Sequence, residues 1–552
     1  MEKKISRKRR IYILMIITVI TTITFFFWRN FKYRLANKKL DNLVTNKSGG
    51  LYRISYENLV INEALGNFSV SNVVMLPDSS TFETMKAQHI QPENLFYIHI
   101  PKLIITGVKT PKALLNKEIS AHKIELQDAE VEVRLGKPAE EKKKADTKTD
   151  LSAAVYRQLL GNLKSIMADS VILRNANLIL VDMDSKKLRG KVEGLSVLFS
   201  GIEIDSLKQN DSTQILFSRD LTIHSDKIEW PITKGNYNLQ VNGLDFDSKT
   251  GIFHTGPVRL KTRMSETEFA KSHHFSIDRF DLVVESMDLR GISRAGLLYQ
   301  QLKADSLDIE GLSLHIFRDK SMPHDSVDRT HDYPQESIMH LPFPVYVKKI
   351  KIRNSYIEYK EKNDQSDSSG KVAFFHVQAS IEQVTNMPEF IRQNNQMLVR
   401  FHADFLNASP FTAQIRLRLN DRRGIFSMDA SLGEMDAPAL NALLKPMALA
   451  ELNKGKINDL HYHLDATNTR AKGRLLLHYE NLSVRLLKKD DDKNKYKTKV
   501  LPTLAAGLLV KDSNPQHGKM RTADVDFTRD IHRSIFNLMW KSLFAAIKEV
   551  AM

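Results

Sequence analysis

Beyond residue 50 the chain alternates apolar and polar positions with a period of two, the mark of strands with one apolar and one wet face. Ile124 and Leu126, then Val131, Val133 and Leu135, set the pattern. It returns at Leu312, Leu314 and Ile316, at Phe401, Ala403 and Phe405, at Ala413, Ile415, Leu417 and Leu419, and at Phe426, Met428 and Ala430. Small polar pivots such as Asn242-Gly243 predict hairpins between such strands. Helical spacing is rare. It predicts an amphipathic helix over 151–167, with Val155, Leu159, Leu163 and Ile166 on one face, and a helix over 437–452 interrupted at Pro446. A third helix, over 530–550, carries Ile531, Ile535, Met539, Trp540, Leu543, Phe544, Ile547 and Val550 at three- and four-residue spacing.

One segment has a different character. From Ile11 to Trp28 no residue is charged, and eighteen residues at helical rise span about 27 Å, enough for a bilayer core. A cleaved signal peptide ends in small residues, whereas this run ends in three phenylalanines, Trp28 and Arg29, which predicts a retained anchor. Six basic residues precede it and five follow within the next eleven positions, so flank charge barely sets its direction. A short tail stays behind easily while a long body is exported, which places residues 1–10 in the cytoplasm and the body across the membrane.

Charge-rich stretches divide the body. Residues 137–150 and 488–499 read as solvated loops, as do 319–339 and 361–370. They delimit a β region over 29–136, a linker with the first helix over 137–167, a second β region over 168–318 and a linker over 319–340. A third β region follows over 341–487, then a connector over 488–529 and the terminal helix over 530–552. Strict repeats are absent, but an alternating strand, a small polar pivot and a second strand recur as SVILRNANLILVD at 170–182 and KKIKIRNSYIEYKE at 348–361.

The formal charge of +16 is concentrated at the membrane flanks, where anionic headgroups are the simplest partner, and no nucleic-acid motif accompanies the rest. The chain has no cysteine, which removes disulfides, thiolate nucleophiles and cysteine metal sites. His461 and His463 share a strand face at metal-ligand spacing but lack a third ligand, so they read as solvent-facing. His273-His274 is weaker, and Asp490 to Asp492 lacks the calcium-loop glycine. No hydrolase, nucleotide-binding or metalloprotease motif occurs, so no catalytic residue, metal or cofactor is expected.

Three phrases carry a family likeness. LPFPVYVKKIKIRNSYIEYKEK (341–362) resembles the segment that recurs in AsmA-like and DUF748-type proteins of diderm bacteria, with Asn354-Ser355 where Asn-Gly is commonest. The stretch 455–489 is similar to that family's C-terminal region through Gly473, Leu475, Leu477, Tyr479, Leu482 and Val484, and 52–77 to its start. The resemblance implies a mainly β protein: one transmembrane helix, then an elongated, curved antiparallel sheet forming a groove, with few helices. It implies a non-enzymatic, inner-membrane-anchored periplasmic protein that conducts phospholipids along an apolar trough and supports outer-membrane lipid homeostasis, with an envelope protein at the far end.

Alternation alone suits a packed sandwich as well as a trough, and the resemblance favours the trough. Its lining is expected at Ile415, Leu417, Phe426, Met428, Leu475 and Leu477. For the terminal helix two roles remain open: lying on a membrane with Trp540 at the interface and Lys541 and Lys548 near headgroups, or plugging the end of the sheet. The rival function is a structural or regulatory envelope protein that affects outer-membrane protein assembly through protein contacts.

Overall fold

A computed structural model describes residues 48–62, 64–109, 118–136, 165–205, 218–232, 236–363, 368–489, 496–498 and 510–552. The anchor residues Ile11 and Trp28, and residues 151–164 of the helix predicted over 151–167, lie outside them. No helix among the described residues is long and apolar enough to cross a membrane. Among the described residues the fold is mainly β, with 60% in strands and 14% helical. The chain forms two compact units, one comprising residues 1–256 and 292–300, the other 257–291 and 301–552. The boundary therefore falls inside the stretch 168–318 that the charge pattern left whole.

The first unit contains β1 (Tyr52–Ser55), β2 (Leu59–Asn62), β3 (Asn67–Pro77), β4 (Asn94–Thr106), β5 (Glu118–Gln127), β6 (Glu130–Leu135), β7 (Ser165–Asp182), β8 (Leu188–Asp205), β9 (Ser218–Ile232), β10 (Tyr237–Asp247) and β11 (Ile252–Thr255). Strands β5 and β6 are two halves of one bent line. Both lie antiparallel to β4 on one side and parallel to β7 on the other. The remaining neighbours are antiparallel through to β11.

The second unit repeats this plan. It holds β12 (Val258–Thr262), β13 (Asp278–Val284), β14 (Ser286–Arg290), β15 (Leu302–Glu310), β16 (Ser313–Asp319), β17 (Val345–Lys362), β18 (Gly370–Thr385), β19 (Gln396–Phe405) and β20 (Ser409–Arg418). It continues with β21 (Phe426–Leu432), β22 (Met435–Asp436), β23 (Ala450–Ala466), β24 (Arg470–Lys489), β25 (Tyr496–Thr498) and β26 (Thr522–Thr528). Here β15 and β16 are the halves of a bent line parallel to β17. The strand pairing within each unit is thus mixed, not purely antiparallel as the family likeness implied. A parallel neighbour requires a crossover, and the charge-rich stretches after β6 and β16 supply the chain for it.

The recurring phrases explain the bends. They lie on β7 and β17, each an 18-residue strand. Their asparagines do not separate two strands; each sits inside one. Asn175 and Asn354 take positive φ of 53° and 49°, a conformation asparagine tolerates better than most residues. The extra residue makes a bulge that shifts the alternation by one. Val171 and Leu173 before Asn175 therefore share a face with Leu178 and Leu180 after it, and Ile350 and Ile352 share one with Ile357 and Tyr359.

Neighbouring strands bend in step. In the first unit the kink passes through Asp128, Asn175, Gly194 and Gly243, all at positive φ. Asn175 Nδ2 donates to Asp128 Oδ1 at 2.7 Å. At Gly194 a Cβ would stand 1.9 Å from Asp226 Oδ2, so only glycine fits without rearrangement. The dipeptide Asn242-Gly243 belongs to this line, inside β10, and is not the hairpin its composition predicts. In the second unit the kink passes through Gly311, Asn354 and His376. Leu312 N donates to Ser355 Oγ at 3.0 Å, and Asn354 Nδ2 donates to Glu310 Oε1.

The stretch 437–452 divides into a 3-10 turn (Ala437–Leu440), a helix with Pro446 inside it (Asn441–Ala448) and, after Leu449 at φ 48°, the start of β23. Ile166, expected on a helix, opens β7 instead and is buried. The terminal helix spans Ile535–Ala551, capped by Ser534 Oγ accepting from Asn537 N.

Candidate functional site

Cross-strand register in the second unit assembles two apolar rows. One runs Leu289, Leu307, Ile350, Ile381, Val399, Ile415, Met428, Leu464, Gly473 and Val525. The other runs Met287, Ile309, Ile352, Ala379, Phe401, Ala413, Ala430, Tyr462, Leu475 and Ala523 along the same ten strands. At about 4.8 Å per strand such rows extend roughly 43 Å. The parity comes from the sequence, since every strand they cross alternates, and the bulges keep distant halves of β17 in phase.

The intervening row is polar: Lys351, Ser380, Arg400, Gln414, Asp429, His463, Arg474 and Asp524. All of these but Asp524 line a depression of about 920 Å³ together with Lys349, Arg353, His402 and His461. Its charges are internally matched. Arg416 Nη1 stands 2.8 Å from Asp429 Oδ2, Arg400 Nη1 2.9 Å from Glu382 Oε1, and Arg353 Nη2 2.8 Å from Asp308 Oδ1. His463 reaches Asp429 at 2.7 Å and Asp465 at 3.3 Å. The Asp429 hydrogen bond holds the imidazole pKa above its ordinary value, and His463 in turn holds the Asp429 carboxyl below its own. Among the described residues no cluster suits a metal ion, and both His461 and His463 face solvent.

The apolar face changes along its length. At the C-terminal end it is packed: Leu464, Leu475, Leu538 and Val550 are essentially inaccessible, and the terminal helix contributes Ile535, Leu538, Ala546 and Val550 to one core with the sheet. Towards β17 the same face is less completely covered, although Ile381, Val399 and Ile415 still pack against the edge of that core. Ile350, Ile352, Ile381, Val399, Phe401 and Ile415 all keep part of their surface accessible. A second half-covered row, beyond the bulge, runs Leu260, Leu282, Leu314, Ile357, Phe374 and Phe405. Phe374 packs edge-on to Phe401 at 5.4 Å between ring centroids and tilted to Phe411 at 5.3 Å, so the wall is aromatic here.

The crossover between β16 and β17 fastens the packed end. Tyr333 is fully buried, packs edge-on to Phe426 at 5.7 Å and donates to the Thr467 carbonyl at 3.1 Å. Arg529 lies 4.5 Å over the Tyr333 ring and donates to the Arg329 carbonyl at 2.7 Å. Burial pushes the Tyr333 hydroxyl up to about 12.

The first unit shows a comparable gradient. A row runs Leu59, Val70, Leu103, Leu126, Leu173, Val197, Ile223, Phe246 and Phe253. Val70, Leu103, Leu126 and Leu173 are buried in the core, whereas Val197, Ile223, Phe246 and Phe253 are half covered.

No family model and no curated protein matches this chain.

The six residues read from the sequence as trough lining do share the apolar face. Leu417, Phe426, Met428, Leu475 and Leu477 lie in its packed end, and Ile415 stands at the margin of the open part. Of the terminal-helix residues, Ile535 is buried and Ile547 packs against the core, while Trp540 is exposed and Phe544 half exposed. Sequence reasoning passed over Ile350, Ile381 and Val399. Their alternation was visible; that they face partly open space depends on where the helix and crossover end. Tyr333 had no signal in a stretch dominated by charge.

Proposed function

We propose that this chain is a non-enzymatic, inner-membrane-anchored protein whose body lies in the periplasm and whose half-covered apolar rows shelter phospholipid acyl chains. Acyl chains lie along Ile350, Ile381, Val399 and Phe401, with headgroups towards water, and lipids pass along the wall without any bond being made or broken. The body thereby supports outer-membrane lipid homeostasis and envelope integrity. The observation that carries this reading is the gradient on one continuous face: a packed end that holds the fold, then a long apolar surface that protein covers only in part. A sandwich would fill that surface throughout. Each methylene taken from water contributes about 0.8 kcal/mol, so an acyl chain on this wall is held firmly until an apolar acceptor takes it.

The test is a pair of charge substitutions on opposite faces. V399E places a carboxylate on the proposed wall, and R400E places one on the solvated face one residue away. The proposal expects a pulse of labelled phospholipid to reach the outer membrane several-fold more slowly with V399E and at the normal rate with R400E, at equal protein levels. A protein that acts through contacts with envelope partners would leave lipid movement unchanged in both. For topology, a reporter fused after Met552 is expected to be active only if periplasmic, and cytoplasmic activity would overturn that part of the reading.

A further inference from the structure

The terminal helix has two faces. Ile535, Leu538, Ser542, Ala546 and Val550 turn inward and pack on the sheet. Opposite them, Phe536 is 69% exposed, Trp540 39% and Met552 56%. Phe536, Trp540 and Phe544 are spaced four residues apart, so they form one ridge along the outer face. The Trp540 and Phe544 rings are stacked at 6.3 Å, and Lys548 Nζ stands 4.8 Å over the Phe544 ring. Lys541 and Lys548 are exposed beside the ridge, with Glu549 the one exposed acid on the helix.

Core packing does not require this ridge, because the inward face already closes the apolar end of the second unit. Large aromatics kept in water without a packing role mark a surface that meets something apolar. The chemistry beside them selects the occupant. Tryptophan and phenylalanine flanked by lysines suit the boundary of an anionic bilayer: rings enter the acyl margin and ammonium groups reach the headgroup phosphates. The lysines outnumber the acid, so the outer face is complementary to a negatively charged surface.

We infer that the outer face of the terminal helix, through Phe536, Trp540 and Phe544 with Lys541 and Lys548, docks the C-terminal end of this protein onto an anionic lipid surface. The helix lies parallel to that surface and remains packed on the sheet. This goes beyond the lipid-sheltering proposal, because it rests on the outer helix face and not on the half-covered wall.

The experiment uses the full chain in phosphatidylcholine nanodiscs, offered separate vesicles of phosphatidylcholine alone or with one third phosphatidylglycerol. Trp28 and Trp230 are replaced by phenylalanine, leaving Trp540 as the sole tryptophan of three. The inference expects anionic vesicles to co-float with the nanodiscs, and brominated acyl chains in those vesicles to quench Trp540. It expects F536S/F544S to reduce flotation at least tenfold and K541E/K548E to abolish the preference for phosphatidylglycerol, with the circular dichroism and thermal midpoint of both variants unchanged. Absence of vesicle binding by the unmodified chain, or binding that both variants retain in full, would overturn it and direct attention to a protein partner. Lipid co-purifying with the chain is measured alongside. Its loss from the unmodified chain would count against the sheltering wall while leaving ridge-dependent docking intact.

Discussion

Tyr462 Oη donates a hydrogen bond to Ser542 Oγ at 2.8 Å, joining the packed end of an apolar row, on β23, to the inward face of a helix eighty residues later. Ser542 Oγ in turn donates to the Leu538 carbonyl at 2.7 Å, so both hydroxyls are satisfied inside the core. Burial pushes the Tyr462 hydroxyl up to about 12, which keeps it a donor throughout the accessible pH range. This pair fixes the register of the helix that closes the apolar end of the second unit.

Removing the tyrosine hydroxyl with Y462F is expected to lower stability by about 0.5–1.5 kcal/mol, since Ser542 keeps its backbone acceptor. L538A, which empties a fully buried site on the same helix, is expected to cost about 2–5 kcal/mol. Urea denaturation of the two variants checks the order. Equal costs would mean that the helix is held by something other than packing.

The bulges make a sharper prediction. Asn354 at φ 49° accepts glycine readily, so N354G is expected to be near neutral, while N354V forces a β-branched residue into the left-handed region at about 1–2 kcal/mol or more. Deleting Asn354 leaves Ile350 and Ile352 on the face of Ile357 and Tyr359 but removes the kink, so β17 falls out of step with the bends at Gly311 and His376. That deletion is expected to destabilise the second unit markedly, read by urea denaturation and limited proteolysis. A deletion variant that folds with wild-type stability would contradict the role given to the bulge.

These positions also show what the sequence carried. Alternation at Phe401 to Phe405 and Ala413 to Leu417 reads directly as strands, because each side chain's neighbours two residues away define its face. The pivots at Asn175 and Asn354 were visible as interruptions, but a one-residue bulge and a turn leave nearly the same local pattern. Register across β17 and β18 separates them, and register is non-local. For the same reason the parallel pairing of β15 with β17 was hidden: alternation says which face a residue takes and nothing of its neighbour's direction. The six residues expected as lining all lie on one apolar face, five of them in its packed end. Which part of that face is packed depends on where Tyr333 and the terminal helix land.

Glu125 is one of the carboxyls through which acid should weaken the fold. Its side chain is 4% exposed, with Lys123 Nζ at 2.8 Å and Arg174 Nε at 2.9 Å. The Lys123 hydrogen bond, aided by Gln127 and Arg174, holds its carboxyl at about 2 against an ordinary 4.5. A depressed carboxyl contributes stability that is present above the unfolded pKa and lost as pH falls from about 4.5 towards 2. E125Q is expected to lower stability at neutral pH by about 1–2 kcal/mol, discounted for the exposure of both cations, and to flatten the acid loss across that window. Thermal midpoints of the two proteins across that window provide the check. Parallel curves would show that Glu125 is not among the groups responsible.

The central claim is that acyl chains lie against the half-covered wall and not against the polar face. The most direct measurement places a photo-crosslinking amino acid at Val399, and separately at Arg400, in the full chain within cells, followed by mass spectrometry of the purified protein. The account predicts phospholipid adducts at Val399 and few or none at Arg400. Adducts absent from both positions, or equally abundant at both, would contradict it.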